Sequence, residues 1–99
     1  MKTRVEVAPQ VRDFVKSLAP APRLALTRAI KALSTERGNR KPLEGRLAGY
    51  RRLRVAEYRV IYVAAMESGS PVIRCLFAER RSIIYEVFEK MLLDELSGK

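Results

Sequence analysis

At Tyr50 the spacing of apolar residues changes from a helical period to a strand period, and this switch limits the architectures open to the chain. Upstream, Val11, Phe14, Val15 and Leu18 recur at i, i+3, i+4 and i+7, with Arg12, Asp13 and Lys16 turned outward. Leu26, Ala29, Ile30 and Leu33 repeat the same spacing. Downstream, Leu53 and Val55 share one face of a strand, while Tyr50, Arg52 and Arg54 share the other. A helical half and a sheet half must therefore bury their apolar faces against each other.

The breakers between these runs set the element order. Residues 4–7 form a short alternating strand that ends at Ala8-Pro9, where proline suits the first position of a helix. Ala19-Pro20-Ala21-Pro22 stops that helix and opens the next, making a helical hairpin. Gly38 is expected to cap the second helix in the left-handed region, and the polar stretch 36–41 to follow as a basic loop. A tight turn at Ala56-Glu57 and a second turn over 67–71 separate three antiparallel strands, the later two at 58–65 and 72–78. From about Ile84 a final helix presents Val87, Phe88, Met91 and Leu92, widened by Leu93 and Leu96. So broad a stripe suits packing on the domain, and it also suits docking of a partner chain. The predicted order is β-α-α-β-β-β-α, an α+β fold. It is a small antiparallel sheet with the N-terminal hairpin on one face and a C-terminal helix, leaving the other face for basic groups.

A chain of 99 residues has room for one core, so a single domain over residues 1–99 is expected. Twenty Lys and Arg against eleven Asp and Glu give a formal charge of +9, which draws polyanions such as nucleic acid or an acidic protein. Solubility alone is the competing explanation of that excess. Cys75, the single cysteine, lies in an apolar run and reads as a buried thiol in a reducing compartment. With no histidine and one cysteine a tetrahedral metal site cannot be assembled, so neither metal nor cofactor is expected. The N-terminal residues lack the apolar stretch of a signal peptide, and no run is long enough to span a bilayer. A soluble, cytoplasmic protein is the expectation.

The segment from Lys41 to Tyr62 carries the most specific signal. Leu47-Ala48-Gly49 leads into a basic strand, Tyr58-Arg59-Val60-Ile61-Tyr62 opens the next, and Arg81 stands four residues before Tyr85. This order and spacing resembles the RelE/ParE toxin superfamily, and with the N-terminal strand and helical hairpin the resemblance covers nearly the whole chain.

What the resemblance implies is the toxin of a type II toxin–antitoxin system, a metal-independent endoribonuclease that cuts messenger RNA in the ribosomal decoding site. A ribose 2′-hydroxyl would attack the neighbouring phosphate, so the protein must orient the nucleophile, stabilise charge on the phosphoryl oxygens and help protonate the leaving oxygen. By the same resemblance, Arg59, Arg81 and Tyr85 are the catalytic candidates. Arg52 and Arg54 match the paired basic positions that bind RNA phosphate, and Arg80 is a supporting candidate. Arginine provides a planar, permanently charged fork suited to phosphate, but it is a poor general base. The prototype nucleases carry lysine at the positions of Arg52 and Arg54. The base is therefore unassigned: Glu57 and Glu79 are near enough in sequence to serve, and each also fits an ordinary turn or salt-bridge carboxylate. Each arginine taken singly also fits an ordinary solvated strand face. Tyr62 reads as core, Tyr50 as either core or site, and Tyr85 as site or core edge.

Two other functions compete. The ParE branch of the superfamily, which shares the fold and the Tyr-Arg-apolar-apolar-Tyr segment, inhibits DNA gyrase without catalysis. An RNA-coating module is the third, although the chain lacks an exposed aromatic array for stacking bases. The nuclease reading implies the ribosome and messenger RNA as partners. Both toxin readings imply a cognate antitoxin with an acidic toxin-binding segment that wraps the domain and masks the basic surface or displaces the C-terminal helix, with the Val87–Leu96 stripe as a docking site.

Overall fold

The computed structural model describes residues 3–96. Strand β1 (Arg4–Val7) leads into helix α1 (Pro9–Lys16) and helix α2 (Pro20–Ala32), each with proline in its first turn. A 3₁₀ turn (Leu33–Thr35) and strand β2 (Asn39–Pro42) follow, then a second 3₁₀ turn at Gly45–Leu47. Strands β3 (Arg51–Val55), β4 (Tyr58–Glu67) and β5 (Ser70–Arg80) form the meander, and helix α3 (Ile84–Leu96) closes the order. The five strands make one sheet in the order β1-β5-β4-β3-β2. It is antiparallel throughout except where β1 joins β5 in parallel, pairing Val5 with Ile73 and Glu6 with Arg74. Among the described residues, no helix is long and apolar enough to cross a membrane.

The expected α+β layout is present, and three local features depart from the sequence reading. The basic stretch read as a loop contains β2, an edge strand antiparallel to β3 whose four residues are all exposed. With no buried side, it carries no hydrophobic period, and its charges and terminal proline are those that protect sheet edges. The left-handed cap after α2 falls on Glu36 (φ 57°) rather than Gly38. Gly38 also has positive φ (109°), and a Cβ there would meet Leu53 Cδ1 at 3.0 Å, so its lack of a side chain lets β3 approach. The third feature is Gln10. Its amide donates to the Ala78 carbonyl and accepts from the Ala78 N–H, both at 2.8 Å, continuing the β5 ladder where β1 has turned into α1.

Each face of the sheet has its own core. The hairpin packs Val11, Leu18, Leu26 and Ile30 on Leu53, Tyr58, Val60, Tyr62, Cys75 and Ala78. On the opposite face, Ile84 and Phe88 of α3 cover Ile61 of β4 and Phe77 of β5, joined by Leu47. Tyr50 sets its ring edge to face on Phe88 at 5.1 Å, which resolves it as a core-edge residue. Tyr62 is core as expected, 1% exposed, and Cys75 is buried with its thiol pKa pushed up to about 12 by desolvation. Val87, Leu93 and Leu96 remain exposed on α3.

Candidate functional site

The sheet face that carries α3 also carries the arginines, because strand alternation sends residues 52, 54, 59, 61, 77 and 79 to one side. Arg54 of β3 lies directly opposite Arg59 of β4, and Arg59 directly opposite Glu79 of β5. One row along, Lys41 of β2 faces Arg52 of β3, which in turn faces Ile61. Like charges placed directly opposite across strands are unfavourable, so Lys41 with Arg52 and Arg54 with Arg59 break a local rule of sheet design. Such conflicts concentrate at functional sites.

Arg59 is the centre of the group. It is 7% exposed, and its Nη1 donates to the carbonyls of Ala56 (2.9 Å) and Tyr58 (2.8 Å). These bonds tie the guanidinium to the β3–β4 turn, where Ala56 holds a positive φ of 54°. Nε and Nη2 make no bond among the described residues, yet neither is sealed off, since Tyr62 Oη is the buried side-chain atom found without a partner. The turn thus fixes one edge of the guanidinium and leaves its other donors available. Burial lowers the Arg59 pKa, the charges of Arg54, Arg52 and Arg81 push it the same way, and the Tyr85 phenol opposes them. All four residues are near enough to Arg59 to be felt, so the groups singled out in the sequence on β3, on β4 and beyond β5 share one environment.

Arg81 reaches this face because its backbone N–H donates to the Glu57 carbonyl (2.8 Å), holding the chain beside the same turn after β5 ends. Tyr85, in the first turn of α3, is half-buried against the Phe88 cluster. Arg52 Nη1 donates to Asn39 Oδ1 at 3.3 Å. None of Arg52, Arg54, Arg59 and Arg81 forms an ion pair among the described residues.

Arg80 does not join them. It pairs with Tyr58 across the sheet, so alternation directs it to the hairpin side, and its Nε lies 3.9 Å from a Glu57 carboxylate oxygen. The two carboxylates separate likewise. Glu57 is an exposed turn residue beside Arg80, whereas Glu79 is half-buried on the arginine face. Lys41 and Asn39 were not singled out in the sequence; their signal is their register with Arg52 and Arg54, which requires knowing that β2 is a strand. Among the described residues, no group of three or more Cys, Asp or Glu is placed to hold a metal ion.

No family model matches the sequence, and no curated protein matches it significantly. Solved structures do. The toxin–antitoxin complex RelBE2 from Mycobacterium tuberculosis contains a chain 25% identical, covering 82% of this chain and 100% of its own, with a TM-score of 0.67. The archaeal RelE–RelB complex from Pyrococcus horikoshii OT3 gives 28% identity, 82% and 97% coverage and a TM-score of 0.62. A YoeB/ParE toxin from Agrobacterium tumefaciens shares the fold at 16% identity and a TM-score of 0.64, over 79% of this chain and 98% of that one. Over nearly the full length of these chains, this chain shares the fold of RelE/ParE superfamily toxins, and it brings Arg59 of the Tyr58–Tyr62 segment near Arg81 and Tyr85.

Proposed function

We propose that this chain is the toxin of a toxin–antitoxin pair, a single toxin domain over residues 1–99 that cuts ribosome-bound messenger RNA in the cytoplasm. The observation that carries the reading is the Arg59 guanidinium, held by the β3–β4 turn among Arg52, Arg54, Arg81 and Tyr85, with no carboxylate among the described residues ion-paired to any of the four arginines. Cations left uncompensated on a folded surface are stabilised by an incoming anion, and a phosphate that gains charge in the transition state gains most. Arg59 and Arg81 stabilise the phosphoryl oxygens, Arg52 and Arg54 hold the flanking backbone, and Tyr85 orients the cleaved nucleotide. Glu79 is the better placed of the two carboxylates to accept the 2′-hydroxyl proton, lying opposite Arg59 on this face. Arg80, directed to the hairpin side, binds RNA only at the margin. The antitoxin segment that silences the protein is acidic, matching the +9 charge.

The test is to induce the chain in growing cells and sequence messenger RNA 5′ ends, with a gyrase supercoiling assay on the same preparation. Cuts in phase with codons and unimpaired gyrase are expected. Gyrase inhibition without new 5′ ends overturns the nuclease reading in favour of the ParE-like one. Glu79→Gln should slow cleavage by about 10²-fold or more if Glu79 is the base, while Glu57→Gln should not.

A further inference from the structure

A cleft of about 290 Å³ lies beside the arginine cluster, lined by Lys41, Pro42, Leu43, Glu44, Arg52 and Tyr85. Five of these suit an RNA surface: two cations for the backbone, an aromatic ring for stacking, and two apolar side chains. Glu44 does not, because a carboxylate repels the phosphates its neighbours attract. Nor does the fold use it. Glu44 is exposed, precedes the second 3₁₀ turn without making a side-chain capping bond, and forms no ion pair among the described residues, although Lys41 and Arg52 line the same cleft.

We propose that this cleft receives the base of one nucleotide flanking the cut, and that Glu44 selects guanine there. The inference rests on the nuclease reading. A carboxylate only accepts hydrogen bonds, and it has two oxygens side by side. Guanine alone offers two adjacent donors on its Watson–Crick edge, N1–H and N2–H, which match those oxygens as a guanidinium fork does. Adenine and cytosine place one amino donor beside a ring nitrogen whose lone pair faces the second oxygen. Uracil places one donor between two carbonyls. A site built to bond a donor pair rejects bases that leave its acceptor unpaired.

The experiment maps 5′ ends after induction of the wild type, Glu44→Gln and Glu44→Ala. Both variants alter an exposed side chain that makes no capping bond and no ion pair among the described residues, so both fold. The wild type should show guanine enriched about tenfold at one fixed position beside the cut, the discrimination of one bidentate pair. Glu44→Gln, whose one donor and one acceptor match a donor–acceptor pair on every base, should weaken that preference. Glu44→Ala should flatten it while the cuts stay in codon phase. Phased cuts whose base preference is the same in all three proteins overturn the role of Glu44 and leave the nuclease reading standing. An absence of cuts overturns both.

Discussion

The face of the sheet that carries α3 also carries two groups of arginines, and they differ in their counter-charges. Near β1, Arg4 and Arg74 share Glu6 and Glu67: Arg4 bonds to both carboxylates, and Arg74 reaches Glu6 at 3.2 Å and Glu67 at 2.6 Å. Two cations and two anions close a neutral network that ties β1 to the β4–β5 hairpin. Around the β3–β4 turn, Arg52, Arg54, Arg59 and Arg81 stand without an ion-paired carboxylate among the described residues, and Arg59 has its guanidinium oriented by backbone carbonyls instead. Residue type and sheet face are the same in both groups. What separates a structural arginine from one prepared for an external anion is the partner it already has.

That contrast is most severely tested by matched substitutions. Arg59→Ala and Arg81→Ala should each lower cleavage by about 10²-fold or more, the loss typical of an electrostatic transition-state group, and abolish growth arrest. Arg74→Ala should leave arrest intact, with all three proteins keeping their circular dichroism spectra. A smaller effect is expected from supplying the missing counter-charge. Asn39→Asp sets a carboxylate opposite Arg54, and the salt dependence of RNA binding should lose about one unit of slope. Removing the counter-charges of the other group should do less. Glu6→Gln and Glu67→Gln raise the net charge, yet their partners are half exposed, so RNA cleavage should hold and the melting temperature should fall only slightly, less so in high salt. Cys75, buried and titrating far above neutrality, should resist thiol reagents at pH 7 until the chain unfolds.

The hydrophobic periods made α1, α2, β3 and α3 legible in the sequence, since each has one buried stripe. Strand β2 was hidden because none of its side chains is buried, and with it went the register that sets Lys41 and Asn39 beside the arginines. The parallel pairing of β1 with β5 depends on topology that no local pattern encodes. On β5 the irregularity opposite Ile61 and Tyr62 inserts an extra residue at Leu76, so simple alternation carried from Val72 puts Phe77 and Glu79 on the wrong side. That shift turns Glu79 toward Arg59 and Arg80 away from it. The candidate arginines were named by the resemblance of the 41–62 and 81–85 segments to the RelE/ParE superfamily, since each taken singly fits an ordinary solvated strand face. The anchoring of Arg59 to the carbonyls of its own turn was not, because it depends on the side chain folding back along the backbone.

The central claim is that Arg59 of β4 and Arg81 beyond β5 grip a single phosphate, and a double-mutant cycle on Arg59 and Arg81 measures this directly. Cleavage rates on programmed ribosomes would be compared for each alanine variant and for the pair. If both side chains hold one phosphate, the double variant should lose far less than the product of the single losses, a coupling of about 1 kcal/mol or more. Losses that multiply, within about 0.3 kcal/mol of additivity, would show the two acting on separate groups and contradict the account.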